Sequence, residues 1–181
     1  MCHFAKGLKN DITFVFSCPG KEEEEQNRPA AGKTGRNLEY ILEELNNSSK
    51  LDWTRENITI TNSWSQVEYK GLNGRTEATL DEILETKNLK RLYKEVKDTE
   101  ELIICSGDNA KFAINEISNT NSLKAKVVNI PHFSLKKLNT LVTEDVDGEK
   151  IIAGKNRNDQ KANNKKRLKV ICEQIEEQLY D

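Results

Sequence analysis

The segment Phe14-Val15-Phe16-Ser17-Cys18-Pro19-Gly20-Lys21-Glu22-Glu23-Glu24-Glu25-Gln26-Asn27-Arg28-Pro29-Ala30-Ala31-Gly32-Lys33-Thr34-Gly35 sets the architecture. An apolar strand runs into a Pro-Gly turn. A loop with two further glycines follows and opens a helix. Glycine lets a backbone approach a ligand where a Cβ would block it, and a helix start offers free N–H groups. The strand itself spans Ile12 to Phe16. The helix beyond it, Gly35 to Leu45, carries Leu38, Ile41, Leu42 and Leu45 at helical spacing.

Three more apolar runs resemble this strand: Ile58 to Thr61, Leu102 to Cys105 and Lys126 to Ile130. Each is β-branched or aromatic and flanked by turn residues. Helical patterns lie between them. Leu80 to Val96 reads as one helix or two. Asp108 to Ile117 follows Gly107, and Asn163 to Leu179 closes the chain. Strands alternating with helices predict an α/β fold, a parallel sheet with helices on both faces. Ligands in such sheets bind beyond the carboxyl ends of the strands. Asn139 to Lys155 reads as a hairpin around Asp147-Gly148. The acidic run at 21–25 reads as a solvated turn.

The 181 residues suit a single domain, 1–181, with that hairpin as an insertion at about 139–155. Mean hydropathy is -0.75. No apolar run approaches the roughly 20 residues that span a bilayer. Met1 to Lys6 leads into no apolar segment, so no export signal is expected and the expected compartment is the cytoplasm. The net charge of -2 argues against a generally basic protein and leaves room for a local basic patch. Four cysteines without framework spacing read as reduced thiols.

The string from Phe14 to Gly35 resembles the first motif of the uracil-DNA glycosylase superfamily, most closely its family 4. That pattern is G-E-A-P-G, an acidic stretch, then G-R-P-F-x-G-x-x-G. Pro19, Gly20, Arg28, Pro29, Gly32 and Gly35 fall in place without a gap. Later strand ends agree in order. Ile60-Thr61-Asn62 resembles the strand end whose Asn reads the base. Ile104 to Ala110 resembles the L-G-x-x-A turn into a helix, and Pro131-His132-Phe133-Ser134 resembles the H-P-S motif that carries the catalytic histidine. The resemblance implies a three-layer α/β/α domain around a central four-stranded parallel sheet. It implies a monofunctional DNA glycosylase acting on a flipped-out base and leaving an abasic site.

Residue by residue, the resemblance makes His132 the group that stabilises the leaving base. Asn62 would read the base, having both a donor and an acceptor. Ser17, or the backbone from Cys18 to Gly20, would place the water. Cys18, Pro19, Gly20, Ala30 and Ala31 would shape the base pocket. Arg28, Gly32, Lys33 and Ser134 would contact DNA at the rim. Lys136 and Lys137 carry cations close to the histidine motif, as do Arg157, Lys161 and Lys165 within the basic stretch from Lys155 to Lys169. Leu135 or Leu138 is a candidate wedge for the vacated stack. Trp64 and Tyr69 belong either to the DNA face or to the core, and His3 reads as an exposed terminus.

The sequence departs from the family pattern in three places. Ser17 stands where the first motif has Glu, so a carboxylate base is lost unless one of Glu22 to Glu25 moves in. Ala30 stands where the family has a stacking aromatic, which predicts a roomier pocket and a bulky modified base, with phage defence as a setting. Cys2, Cys18, Cys105 and Cys172 contain no close C-x-x-C pair, so the family 4 iron–sulfur cluster is not expected. No metal or organic cofactor is implied. The expected partner is duplex DNA bound by a monomer, without membrane contact. The rival readings are a non-catalytic reader of modified DNA, a uracil-DNA glycosylase of base-excision repair, and a flavodoxin-like nucleotide binder. The last lacks a GxGxxG or Walker sequence.

Overall fold

The computed structural model describes residues 1–48 and 50–180. Four strands form one sheet: β1 (Ile12–Phe16), β2 (Thr59–Asn62), β3 (Leu102–Ser106) and β4 (Lys126–Ile130), in the order β2-β1-β3-β4. All three pairings are parallel, with Phe16 beside Asn62 and Cys105 beside Asn129. Parallel neighbours require crossovers, and the helices supply them. These are α1 (Lys21–Gln26), α2 (Gly32–Ser48), α3 (Lys70–Asn73), α4 (Leu80–Ile83), α5 (Thr86–Val96), α6 (Asp108–Thr120), α7 (Leu135–Leu141) and α8 (Arg157–Tyr180).

Side-chain alternation along the strands divides the core in two. Ile12, Phe14 and Phe16 face one layer with Leu102 and Ile104, meeting Leu38, Ile41, Leu42 and Leu45 of α2 and Leu168, Ile171 and Ile175 of α8. Val15, Ile103 and Cys105 face the other, meeting Ile83, Leu92, Val96, Ala113 and Ile114. The three-layer α/β/α arrangement with a four-stranded parallel sheet is therefore present. The pattern from Leu80 to Val96 resolves into two helices, α4 and α5. Thr79 opens α4 with a capping box, its hydroxyl accepting from Glu82 N–H at 3.3 Å.

A carboxylate organises the first loop. Glu23 accepts the Gly20 N–H through Oε2 at 3.0 Å and the Ala31 N–H through Oε1 at 2.8 Å. The acidic run is solvated, as expected, but forms a short helix, with Glu23 half-buried. Its Glu22, Glu23 and Glu24 lie at the helix start, where carboxylates are favoured. Asn27 ends α1 at φ 49°, a conformation Asn tolerates better than most residues. The Arg55 guanidinium donates to the Pro29 carbonyl at 2.7 Å and the Ala30 carbonyl at 3.0 Å, and pairs with Glu39 at 2.8 Å. A Cβ on Gly35 would lie 2.2 Å from the Ala30 carbonyl oxygen, so only glycine lets α2 lie this close to the loop.

Two further expectations change. Thr140 and Leu141 belong to α7, and the hairpin shrinks to the Glu144–Lys150 bridge around the turn at 145–148. Residues 135–141 become helical because Ser134 caps them, accepting from Lys137 N–H at 3.3 Å, while Leu138 is fully buried. His3 is not an exposed terminus. The N-terminal segment pairs antiparallel with the outer edge of β2 through Ala5 and Ile60, and His3 Nε2 lies 3.4 Å from Glu95.

The loop geometry also corrects the role of Ala30. It is 4% exposed, sits at φ 46° and belongs to the core cluster with Phe14, Leu38 and Ile41, so its methyl faces the core rather than a base pocket. We expect Ala30→Phe to lower stability by about 1–3 kcal/mol through overpacking. Urea denaturation measures this as a lower midpoint at unchanged slope. A midpoint equal to wild type would mean that the ring escapes into a solvent-facing or pocket position.

Candidate active site

A cavity of about 310 Å³ opens at the carboxyl ends of β1, β3 and β4. β1 contributes Ser17, which is buried. Its Oγ accepts from Asn109 Nδ2 at 3.2 Å, and its carbonyl accepts the Trp64 N–H at 2.9 Å and the Ser63 hydroxyl at 2.8 Å. The serine is therefore held on both sides, and its side chain also reaches that of Cys18. Asn109 belongs to the first turn of α6 and also reaches the Ala78 carbonyl at 3.5 Å.

β3 contributes Gly107 at φ 92°. A Cβ there would lie 3.0 Å from His132 Cβ, so a side chain would press on the histidine. Gly107 N–H donates to the Ile130 carbonyl at 2.9 Å, tying the two strand exits together. It also caps α6 without a side-chain bond, so the helix begins at the cavity with its positive dipole end.

β4 contributes Asn129 and leads to His132. The Nδ1 of His132 accepts the Ser134 backbone N–H at 3.0 Å, which leaves Nε2 as the protonated nitrogen of the neutral ring. Burial holds the imidazole pKa below its usual 6.5, and the neighbouring Lys137 charge lowers it further. Phe133 anchors the loop from the other side. It is fully buried, its ring centroid 5.5 Å from that of Phe16, and its carbonyl accepts from Asn37 Nδ2 at 2.9 Å.

Among the described residues, Ser17, His132 and Lys137 are the expected site residues that line this cavity. Lys111 of α6 and Lys137 of α7 bring cations to it, Glu77 and Asp108 bring carboxylates, and Leu141 lines it while 58% exposed. Asn109, Asn129, Lys111, Glu77 and Leu141 were not foreseen. The one available signal was a polar Asn129 inside an apolar strand run.

Other expected residues lie elsewhere. Asn62 is buried at the end of β2, away from the cavity lining, and its Nδ2 donates to the His3 carbonyl at 3.1 Å. Cys18, Pro19, Gly20, Ala30 and Ala31 build the first loop without lining the cavity. Cys18 Sγ reaches the Thr76 carbonyl at 3.5 Å. Burial pushes the thiols of Cys18, Cys105 and Cys172 up to about 12, so all three are protonated near neutral pH. Among the described residues no cluster of three or more His, Cys, Asp or Glu is placed to hold a metal ion. Nor do Glu22 to Glu25 reach the cavity. Glu23 is committed to the loop and Glu22 lies against Gly32.

The cations divide similarly. Arg28, Lys33, Lys136, Arg157, Lys161 and Lys165 are exposed, with Lys165 5.6 Å above the Tyr40 ring. Gly32 is half-buried at the start of α2, and Ser134 caps α7. Lys166 pairs with Asp145 at 2.6 Å, and Arg167 is buried, donating to the Val142 carbonyl. Of the proposed wedges, Leu138 is fully buried in the core and unable to fill a stack, whereas Leu135 is 39% exposed. Trp64 is half-buried, its indole N–H donating to Glu68 at 3.1 Å. No helix of the described residues is long and apolar enough to cross a membrane.

A search of curated proteins returns no match. The family model described as Uracil DNA glycosylase superfamily matches residues 7–169, a span that begins before β1 and reaches well into α8. The match takes in the sheet, the first loop and every cavity residue named above, and the chain belongs to the uracil-DNA glycosylase superfamily.

Proposed function

We propose that the protein is a monofunctional DNA glycosylase that hydrolyses the base–sugar bond of a flipped-out nucleotide. The observation that carries this reading is the neutral His132, its Nδ1 occupied by Ser134 N–H and its Nε2 proton free, at a cavity where three strand ends converge. As the bond breaks, negative charge collects on the departing base. A preplaced N–H donor answers that charge without reorganising. Lys137, Lys111 and the start of α6 bring positive charge to the same walls, set against the carboxylates of Glu77 and Asp108. Ser17, oriented by Asn109, donates its hydroxyl proton to the oxygen of the attacking water and so holds it in place. Serine does not deprotonate the water: the C1′–N bond breaks first with its electron pair going to the base, water adds to the cationic sugar carbon, and the proton it loses goes to the departed anionic base. The reaction therefore draws its rate from the leaving-group side.

The cavity is at the small end of the roughly 300–1,000 Å³ usual for ligand pockets, which suits one nucleotide base. Among the described residues its lining holds no aromatic ring apart from the His132 imidazole, so no stacking platform confines the base. That supports a base with a bulky substituent as the substrate. Excision of such bases suits a role against phages whose DNA carries them. DNA itself would be gripped by the exposed cations Arg28, Lys33, Lys136, Arg157, Lys161 and Lys165.

The deciding experiment is base release from matched duplexes carrying uracil or a large 5-substituted pyrimidine. Faster release of the larger base is expected. Equal or faster release of uracil would make this a repair enzyme, and binding without release would make it a reader. His132→Ala is expected to slow release about 100- to 1,000-fold with thermal unfolding unchanged. Near-full activity in that variant would remove His132 from the chemistry. Protonating Nδ1 would break the Ser134 bond, so the neutral ring is the working form. Release should hold level from about pH 8 down to 6.5, the usual imidazole value, and fall only at lower pH because the pKa is depressed. A rate that climbs as pH drops through 6.5 would assign the chemistry to the imidazolium.

A further inference from the structure

His132 and the cavity cations meet the negative charge on the departing base. The positive charge left on the sugar needs a group of the opposite sign, and Ser17 is neutral. Two carboxylates line the cavity, Glu77 and Asp108. Asp108 lies in the first turn of α6, where the helix start offsets its charge, and Lys111 follows three residues on. Glu77 has no such offset. It lies in the irregular stretch between α3 and α4, is exposed, and makes no hydrogen bond or ion pair among the described residues.

The backbone around Glu77 is nevertheless pinned to the exit of β1. The Thr76 carbonyl accepts from Cys18 Sγ at 3.5 Å. The Ala78 carbonyl accepts at 3.5 Å from Asn109 Nδ2, the same amide that holds Ser17. Arg75 locks the stretch as a whole. It donates to both oxygens of Glu68, at 2.5 and 2.7 Å, and to both of Glu82, at 2.7 and 2.9 Å. Glu68 is buried, and its N–H donates to the Pro19 carbonyl at 2.9 Å. The chain thus fixes the base of a side chain that has no partner of its own. Its charge is felt at Cys18, whose thiol is pushed up to about 12 by burial first and by Glu77 in addition.

We propose that Glu77 is a catalytic carboxylate that faces the cationic sugar as the base departs and accepts an O–H bond from the water that adds to it. The C1′–N electron pair leaves with the base. A lone pair of the water forms the new C1′–O bond, and the proton released ends on the base. Glu77 itself gains no proton. It stabilises positive charge that exists only once the bond is breaking, so its interaction grows along the reaction coordinate. The inference rests on the glycosylase reading of the same cavity.

The test uses the full chain and Glu77→Gln, which keeps the shape of the side chain and removes its charge. Glu77 bonds to nothing in the fold, so Tm should stay at the wild-type value. At saturating enzyme, Glu77→Gln should release a large 5-substituted pyrimidine about 10- to 100-fold more slowly. It should bind the uncleaved duplex as tightly as wild type or more tightly, because an anion facing the phosphates is gone. A second measurement needs no release. Two duplexes carry at one position either a protonated pyrrolidine, which mimics the cationic sugar, or a neutral tetrahydrofuran. Glu77→Gln should lower the preference for the pyrrolidine about 10-fold relative to wild type, whereas His132→Ala should leave it unchanged. Release by Glu77→Gln at the wild-type rate, or an unchanged preference in that variant, overturns the inference. So does a marked fall in Tm, which would make Glu77 structural. A preference that depends on Glu77 in a protein releasing no base would overturn the glycosylase reading alone.

Discussion

The burial of Phe133 is the constraint on which the site depends. Its ring is wedged against Phe14 and Phe16, and removing a buried Phe costs about 3–5 kcal/mol. The residues on either side of it are the ones the proposed chemistry uses. His132 precedes it and Ser134 follows, and their mutual bond sets the imidazole tautomer. A side chain locked in the core thus orients a half-buried ring in the cavity wall. The backbone is fastened as well. Asn37 of α2 donates to the Phe133 carbonyl, and Asn164 of α8 donates to Asn37 at 2.9 Å. Two helices and a strand therefore share responsibility for one histidine.

The sheet order determines which strand ends can cooperate. β1 and β3 are interior, and β4 lies beside β3, so the exits at Ser17, Gly107 and His132 open on a common space. β2 sits beyond β1, and its end is drawn the other way. The N-terminal segment covers its outer edge, Asn62 bonds to that segment, and Arg91 donates to the carbonyls of Asn62 and Ser63 at 3.0 Å. Exposed strand edges invite unwanted pairing. Here both edges are occupied, β2 by the N-terminal segment and β4 at Asn129 by Gln178. Covering the β2 edge took Asn62 out of reach of the cavity, while covering the β4 edge left the Asn129 side chain free.

Much of this was legible in the sequence, for identifiable reasons. A buried parallel strand is apolar on both faces, and the runs at Ile12 and Lys126 have the same bounds in the structure. The helix at α1 was invisible because Lys-Glu-Glu-Glu-Glu-Gln has no apolar periodicity. It is held by the bonds of Glu23 to residues before and after it. Thr140-Leu141 was read as strand because local β propensity outweighed a cap six residues upstream. In the site, His132 and Ser17 could be placed because they sit at strand exits. Asn109 and Lys111 could not, because which face of α6 meets the cavity is settled only by docking on the sheet. Ala30 was misassigned for a related reason. A loop position in a motif does not state which way its Cβ points, and the positive φ at Ala30 turns it inward.

The electrostatics bear on how a protein with a net charge of -2 would meet the anionic polymer and anionic leaving group of the proposed reaction. Positive charge need not be abundant if it is directed, because a concave site concentrates the field. Lys111, Lys137 and the start of α6 all meet the cavity, opposed there by Glu77 and Asp108. Lys137 and burial both depress the His132 pKa, so the ring stays neutral and donates one proton into the cavity instead of adding a charge. A neutral donor beside fixed cations is strongest when its acceptor becomes negative and weak before it does. The interaction then grows along the reaction coordinate, and only interactions that grow in this way accelerate a step. Loss of the motif carboxylate at Ser17 is consistent with this distribution. In the proposed mechanism a carboxylate there would add negative charge close to the departing base, whereas a serine held by Asn109 would orient the water without adding charge.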